Sequence, residues 1–204
     1  MKSNKGLTLI ELMIAMVVAG MVVTGIVGAY TRFTRTYTSQ EAFVSAQEGL
    51  RGSLAIMAIN LSMAGYNPTG GIDPSPGAPD FGIEEATATK IRFTTDYDMD
   101  GAVNNDQFER ITYELDAGTR ELREILYEGT AAEGAPSTLM GNVNMTDSQF
   151  AYFDADGAAL GSAPADLSAI RSVLILLVVD EPAGQAKTVQ RRLFRRVTCP
   201  NLYF

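Results

Sequence analysis

A nearly uninterrupted apolar segment from Leu7 to Tyr30 constrains the fold of this 204-residue chain more than any other feature. Glu11 is its only charged residue, and Arg32 and Arg35 follow it. As a helix, the segment spans about 36 Å at ~1.5 Å per residue, enough to cross the ~30 Å hydrocarbon core of a membrane. The segment therefore predicts a membrane-spanning helix, which we place at residues 7–31.

A short, polar and positively charged segment, residues 1–6, precedes the apolar one. An ordinary secretory signal has a shorter apolar stretch, with its small-residue cleavage site after that stretch. Here the boundary at Gly6–Leu7 comes first, so we interpret residues 1–6 as a leader peptide. Because positive flanks stay cytoplasmic, we expect everything after Arg32 to lie outside the cytoplasm.

The carboxylate of Glu11 needs an explanation, because an unpartnered charge inside a membrane segment costs several kcal/mol. One interpretation keeps Glu11 hydrated at the membrane interface. The other neutralises it with a positive group of a second subunit. Further along, Gly20, Thr24 and Gly28 fall on one helix face, which indicates either close helix packing or ordinary membrane-helix composition.

The segment Gly6-Leu7-Thr8-Leu9-Ile10-Glu11 resembles the prepilin cleavage and methylation motif of type IV pilins and type II secretion pseudopilins. The resemblance implies that a membrane peptidase cuts after Gly6 and that the new amine, on Leu7, is N-methylated. It also implies that Glu11 pairs with the terminal amine of a neighbouring subunit during assembly. Leu7 stands where the family usually has phenylalanine.

A helical pattern continues past the membrane segment through residues 32–64. Apolar residues recur at mostly three- or four-residue steps with polar residues between them, which is typical of a helix that buries one stripe against a domain. Gly65 predicts the end of the helix, and Gly49 and Gly52 predict a weak middle that allows a bend. We therefore expect one helix over residues 7–64, about 87 Å long.

The remaining residues, 65–204, predict a β-rich globular head. Residues 66–86 are rich in Gly, Pro, Asp and Ser and predict a long loop. Short alternating segments bounded by turn residues then predict strands at 87–94, 108–115, 121–127, 149–153, 171–179 and 188–198. The expected fold is α+β and pilin-like: a long N-terminal α-helix whose amphipathic half packs on an antiparallel β-sheet head.

An acidic segment in the head resembles the first part of a calcium-binding loop, with carboxylates at alternating positions and Gly101 at the sharp turn. The predicted Ca²⁺ ligands are Asp96, Asp98, Asp100, Ala102 and Asp106. Gln107 occupies the position of the usual bidentate glutamate, with Asp106 or Glu109 as substitutes. The alternative is a solvated acidic turn, because Asp, Asn and Gly are the usual turn residues.

Charge and composition narrow the function. The chain has 16 basic and 24 acidic residues, a net charge of −8 and no histidine. The acidic balance argues against nucleic acid as a partner, and the lack of histidine removes the commonest general base. We find no nucleophile-and-base set and no phosphate-binding loop, so no catalytic residues and no enzymatic activity are predicted.

Two further features each have a purely structural and a functional interpretation. A basic cluster, with Lys187 nearby, indicates a solvated edge strand protected by charge, or else a contact with an acidic subunit or DNA; its members are Arg191, Arg192, Arg195 and Arg196. The single cysteine, Cys199, cannot close a disulfide within the chain. We interpret it as a small buried hydrophobe, with a reactive or intermolecular thiol as the alternative.

The Arg-rich final strand, the segment Glu109–Leu115 after the acidic loop, and the overall length resemble PilW-type minor pilins. The resemblance implies a subunit that joins or initiates a type IV pilus, with other pilins, the prepilin peptidase and the bacterial inner membrane as partners. The protein would be a single-pass inner-membrane protein before assembly, and part of a surface pilus or periplasmic pseudopilus afterwards. The alternatives are a type II secretion minor pseudopilin, and a membrane-tethered calcium-dependent adhesin or binding module at a filament tip.

Overall fold

The computed structural model describes residues 8–68, 81–104, 108–183 and 188–203. Its first element, α1 (Leu9–Ser62), is one helix of 54 residues, about 81 Å long at ~1.5 Å per residue. Met63 caps its C-terminus, and Gly65 follows with a φ of +78°. The predicted long N-terminal helix is thus confirmed, although Leu7, its predicted first residue, lies outside the described residues.

The described part of the head contains two antiparallel sheets rather than the one that the sequence suggested. The first has the order β1-β2-β3-β4-β5, with β1 at Ile83–Ala86, β2 at Lys90–Thr94, β3 at Arg110–Asp116, β4 at Glu121–Leu126 and β5 at Ser137–Met140. The second has the order β7-β6-β8-β9, with β6 at Gln149–Phe153, β7 at Ala159–Gly161, β8 at Ser172–Pro182 and β9 at Thr188–Thr198. Short 3₁₀ helices occupy Leu167–Ala169 and Pro200–Tyr203.

The two halves of α1 have different environments. All side chains from Thr8 to Thr38 are exposed. Further along, one stripe is buried against β5, β8 and β9; it consists of Ala46, Leu50, Ser53, Leu54, Met57, Ala58 and Leu61. The buried stripe therefore covers only the later part of the amphipathic pattern predicted over residues 32–64, and residues 32–38 of that pattern are exposed. An apolar stripe of this kind is buried only where the helix has a partner.

Gly49 and Gly52 do not interrupt α1. A Cβ atom at Gly49 would lie 2.7 Å from the Sδ atom of Met140, whereas one at Gly52 would meet nothing within 4 Å. Gly49 therefore allows β5 to approach the helix closely. The hydroxyl of Ser53, one turn later, donates a hydrogen bond of 3.0 Å to the carbonyl of Leu139 on the same strand.

One hydrophobic core joins the helix and both sheets. The sheets meet where the turn before β2 touches β6: the Tyr152 hydroxyl donates to the carbonyl of Thr87 at 2.8 Å, and the amide of Phe150 donates to that of Ala88 at 2.8 Å. The largest wholly buried side chains include Tyr113, Tyr152, Phe93, Phe150, Leu50 and Met57. This core positions the loops and edges that carry the candidate sites.

Three strands were missed by the sequence prediction. The β1 strand lies inside the segment predicted as a loop, and β5 and β7 were assigned no structure. All three stand at an edge of a sheet, where a strand has one pairing partner. β5 and β7 are largely exposed and so lack the apolar alternation that marks a half-buried strand. By contrast, β6 and β9 have the predicted bounds.

Candidate functional site: an exposed apolar helix, an acidic loop and an arginine-rich strand

Glu11 forms the N-terminal cap of α1 together with Thr8. The carboxylate of Glu11 accepts hydrogen bonds from the Thr8 amide at 2.9 Å and from the Thr8 hydroxyl at 2.8 Å. In return the Glu11 amide donates to the Thr8 hydroxyl at 3.4 Å. This is a capping box, which satisfies backbone donors that the first helical turn leaves unpaired. Gly6 and Leu7, the predicted cleavage site, lie outside the described residues.

The N-terminal half of α1 is long and apolar enough to cross a membrane. Its most apolar 18-residue window has a mean hydropathy of 2.4, and none of that window is buried within the chain. Neither Gly20 nor Gly28 would bring a Cβ atom within 4 Å of another group. The hydroxyl of Thr24 turns back onto the carbonyl of Gly20 at 2.8 Å. This face therefore offers a smooth surface to a membrane or to another helix.

The predicted calcium ligands other than Asp106 lie in the acidic loop, which we define as residues 96–104. The structure brings Asp96 and Asp98 together with Glu109, each offering a carboxylate oxygen within 4.8 Å of the others. Asp96 and Glu109 are wholly buried, and Asp98 is exposed. Asp106 and Gln107 lie outside the described residues.

Backbone amides already occupy part of this carboxylate cluster. The two oxygens of Asp96 accept from the amides of Asp100 and Gly101, both at 3.1 Å. Glu109 Oε1 accepts from the amides of Tyr97 and Asp98, at 3.0 and 3.3 Å, and its Oε2 from that of Asn104. Glu109 Oε1 thus accepts two bonds, whereas Glu109 Oε2 and the two oxygens of Asp96 accept one each. These three oxygens keep a second lone pair, so the bonds shape the loop and leave acceptor capacity for a cation.

Asp100 is not one of the three converging carboxylates. Its carboxylate accepts hydrogen bonds from the Ala102 amide at 2.9 Å and from the Asn104 side chain at 2.6 Å. These bonds favour the charged form and hold the pKa of Asp100 below its ordinary value. Among the predicted carboxylates, Asp96 and Asp98 thus converge, and Asp100 stabilises the turn at Gly101, where φ is +85°.

The electrostatics of the loop favour a positive partner. Burial raises the pKa of Glu109 despite its three backbone hydrogen bonds, because charging a desolvated carboxyl is costly. Within the described part of the chain, no Lys or Arg forms an ion pair with Asp96, Asp98, Asp100 or Glu109. A divalent cation with oxygen ligands is the chemistry that such a set fits.

The basic cluster lies on β9, at the edge of the second sheet, and its arginines divide between the two sheet faces. Arg191 points toward α1, with its guanidinium carbon 3.3 Å from the ring centroid of Phe43. Arg196, on the opposite face, lies 4.1 Å over the ring of Phe153 and donates to the Ser172 hydroxyl at 2.9 Å. Cation–π contacts of this kind hold the guanidinium groups without neutralising them.

Cys199 is wholly buried, and burial raises the pKa of its thiol to about 12. A thiol in this state is almost entirely protonated at neutral pH and reacts poorly. The interpretation of Cys199 as a small buried hydrophobe agrees with this environment.

Two features of these sites were missed by the sequence interpretation. The role of Glu11 as a helix cap was readable, because Thr8-x-x-Glu11 has the spacing of a capping box. Exposed apolar side chains beside the carboxylates, those of Tyr97, Met99 and Phe108, had no sequence signal, since apolar residues between strands are as often buried.

Comparison with known proteins agrees with the N-terminal features. Residues 1–27 match the sequence profile of the prokaryotic N-terminal methylation motif. No curated protein matches the sequence. Among solved structures, a type IV-like pilin from Thermus thermophilus aligns with a TM-score of 0.47 and 15% sequence identity, over 78% of this chain and 98% of that one.

Residues 1–27 thus carry a prokaryotic N-terminal methylation motif, and a long exposed apolar helix and antiparallel sheets follow it. The motif implies processing by a prepilin peptidase and association with other pilin subunits, and the apolar helix fits membrane anchoring before assembly.

Proposed function

We propose that the protein is a minor pilin that joins or initiates a type IV pilus after cleavage between Gly6 and Leu7. The observation that carries the proposal is the apolar half of α1, which is not buried against any described part of the chain and has a carboxylate in its first turn. A long helix left fully exposed requires a membrane or other helices as its environment. The methylation motif over residues 1–27 supports a processing site directly before that helix.

Glu11 has two successive partners in this proposal. In the unprocessed chain its carboxylate is satisfied by Thr8. Cleavage after Gly6 creates a new amine at Leu7, and the amine of a neighbouring subunit offers Glu11 a full positive charge. In an apolar filament interior an ion pair is far stronger than in water, so Glu11 would select the one helix register that supplies a cation.

Two substitutions separate the charge of Glu11 from its capping role. Glu11→Gln keeps a capping box, since glutamine also serves at this position, but removes the charge. Thr8→Val removes the cap and keeps the charge. We expect Glu11→Gln to insert into the membrane normally and to reduce incorporation into filaments about tenfold or more, while Thr8→Val incorporates nearly as the wild type does. Incorporation of Glu11→Gln at the wild-type level would refute the role of the charge.

The cleavage itself is tested by mass spectrometry of the native chain purified from membranes. The proposal requires a chain that starts at Leu7 and carries a methyl group on its amine. A chain that retains Met1, or one cut after residue 30, would overturn it.

The finer assignments belong to the same proposal. The resemblance of the Arg-rich final strand and of Glu109–Leu115 to PilW-type minor pilins supports a minor subunit in a pilus over one in a secretion pseudopilus. The charged leader supports an orientation with the head outside the cytoplasm. Deleting the chromosomal gene distinguishes the two systems: loss of surface pili supports the pilus assignment, and loss of protein secretion with normal pili supports the pseudopilus.

A second candidate property is calcium binding at the acidic loop, favoured by the convergence of Asp96, Asp98 and Glu109 with no cation paired to them among the described residues. Calorimetric titration of the full chain in detergent with Ca²⁺ should give millimolar or tighter binding that Asp98→Ala abolishes. Asp156→Ala, in an exposed turn, serves as the control and should bind as the wild type does. If titration of the wild-type chain with Ca²⁺ releases no heat and Ca²⁺ does not change the stability of the chain, the calcium site is refuted.

A further inference from the structure

The outer face of β9, away from α1, combines exposed arginines with an exposed aromatic ring. Arg192, Phe194 and Arg196 alternate along the strand and share this side of the sheet, which we call the arginine face. Phe194 is 68% exposed although it stands beside Leu176 in the register. Arg192 has no ion-pair partner among the described residues. An apolar centre flanked by cations, in a chain of net charge −8, is a surface suited to an acidic, partly apolar partner.

The acidic loop has the complementary composition. Asp98 and Asp100 are exposed there and form no ion pair within the described ranges of the chain, and the side chains of Tyr97 and Met99 are 54% and 58% exposed. Phe108, directly before Glu109, is 55% exposed. One end of the molecule thus presents carboxylates with apolar side chains, and one flank presents guanidinium groups with an aromatic ring.

The two surfaces are too far apart to meet within one chain. The acidic loop lies beyond the end of α1, where the amide of Asp96 donates to the carbonyl of Tyr66 at 2.8 Å. The arginine face runs along the flank of the helix, since Arg191 touches Phe43 and Asn201 donates to the carbonyl of Ser62. Phe194 therefore lies about 20 Å short of the loop along the helix axis, counting ~1.5 Å per helical and ~3.3 Å per strand residue.

We propose that the acidic loop of one copy docks on the arginine face of a second copy displaced along the helix axis. The occupant follows from charge complementarity: this chain itself supplies the acidic, apolar counterpart that its arginine face fits. Because the two patches differ and are offset along the axis, the contact is heterologous and propagates in one direction. Two adjacent copies suffice for it, so it suits a subunit incorporated in small numbers. The inference rests on the proposed function, which brings copies together through their apolar helices.

Cross-linking of the full chain, in membranes and in detergent, tests this contact. Ala102→Cys places a thiol in the acidic loop, and Gln190→Cys places one beside the arginine face. With a bismaleimide, the double-cysteine chain should give dimers and higher oligomers, whereas each single-cysteine chain and the wild type should stay monomeric. Cys199 serves as the folding control, because its buried thiol should remain unlabelled in every variant.

Charge reversal in the double-cysteine background identifies the surfaces. Arg192→Glu alone and Asp98→Arg alone should each reduce the cross-linked yield about tenfold or more, since each sets like charges against one another. The two reversals together should restore it. High salt should also reduce the yield of cross-linked oligomers, because the charges on both surfaces are exposed and are screened by salt.

Three results would overturn the proposal: no oligomers from the double-cysteine chain, dimers from Gln190→Cys alone, which indicate a symmetric contact, or a yield that charge reversal leaves unchanged. Mass spectrometry of the N-terminus in the same samples distinguishes a failure of this proposal from a failure of the proposed function. If the chains start at a methylated Leu7 and still give no cross-linked oligomers, only the proposed contact between heads is refuted. If the chains retain Met1, the proposed function is refuted.

Discussion

Gly65 sets the direction in which the chain leaves the helix. Its φ of +78° lies in the left-handed region, and a Cβ atom there would meet the Cδ2 atom of Leu202 at 2.6 Å and the carbonyl oxygen of Asn201 at 3.2 Å. Its amide donates to the carbonyl of Thr94 at 2.9 Å. Gly65 therefore ends α1 and also lets the C-terminal segment close over the end of the helix.

We expect Gly65→Ala to lower the free energy of unfolding by about 1–3 kcal/mol, because it combines left-handed strain with a steric clash. Gly52→Ala is the matched control, since it lies within α1 and its new methyl group meets nothing within 4 Å. That substitution should raise stability by about 0.5–1 kcal/mol through helix propensity. Denaturant titration of both full-length variants in detergent measures the difference, and equal effects would contradict the assignment.

Glu109 makes the stability of the head depend on pH. Its pKa is raised in the folded chain from an ordinary value of 4.5, so the folded state binds the proton more tightly than the unfolded state does. The stabilisation from this group is fully present below the unfolded pKa and is lost as the pH rises through the folded pKa. In chelator, the stability of the wild type relative to Glu109→Gln should thus fall as the pH rises above 4.5. A pH-independent difference would contradict this origin.

Carboxylates show how much of the acidic loop could be predicted from the sequence. Alternating positions marked Asp96 and Asp98 correctly as neighbours. The same spacing marked Asp100, whose side chain instead bonds to Ala102 and Asn104. Glu109, named only as a substitute, completes the cluster. Side-chain direction in an irregular loop depends on local hydrogen bonds, which a spacing rule does not contain.

At the scale of elements, α1 is joined to the first sheet by a chain of polar contacts. The side chain of Asn60 donates to the Tyr113 hydroxyl at 2.7 Å, and that hydroxyl donates to Glu124 at 3.0 Å. Tyr113 is wholly buried, and burial together with the Glu124 charge raises the pKa of its hydroxyl. The hydroxyl therefore stays protonated and links helix, β3 and β4.

Removing this hydroxyl should loosen the helix from the sheet. We expect Tyr113→Phe to cost about 1–3 kcal/mol of unfolding free energy, because Asn60 and Glu124 lose their shared partner in a partly buried site. Tyr97→Phe removes a hydroxyl from an exposed residue and should change the stability by less than about 0.5 kcal/mol. Denaturant titration of the two full-length variants compares them, and a neutral Tyr113→Phe would refute the linking role.

The helices and strands that the sequence predicted are those whose residues follow a regular pattern of buried and exposed side chains. The helix and the inner strand β8 have strong apolar patterns and were found, as was β9, whose pattern alternates. The edge strands β1, β5 and β7 were not, because pairing with a single neighbour leaves their side chains only partly buried or exposed. Division of the head into two sheets depends on which strands pair, and pairing over long sequence separations has no local signal.

At the scale of the whole molecule, the protein consists of two parts that are stabilised by different environments. The head is held by one core shared among the second half of α1 and both sheets. The residues from Thr8 to Thr38 touch none of it. Their helix depends on internal backbone hydrogen bonds in an apolar surrounding. Unfolding of the head should therefore leave this segment helical.

We therefore expect unfolding of the full chain in detergent to occur in two phases. Near-ultraviolet circular dichroism, which reports the packing of the buried tyrosines, should be lost cooperatively. A part of the helical far-ultraviolet signal should persist beyond that transition. Leu61→Ala creates a cavity in the core and should shift only the first phase, by about 2–5 kcal/mol, whereas Ile59→Ala, on the exposed side of the same turn, should shift neither. A single transition in both signals would contradict this division.

The sequence alone determined the N-terminal organisation: a short positively charged segment, a methylation motif, a carboxylate in an apolar helix, and an amphipathic continuation. These features are local, because helix periodicity, hydropathy and a short motif depend on residues close together in the chain. The tertiary structure decided that Glu109 joins Asp96 and Asp98, and that the acidic loop and the arginine face lie apart along the helix axis. Each of these depends on side-chain direction or on contacts between distant segments, which only the folded chain defines.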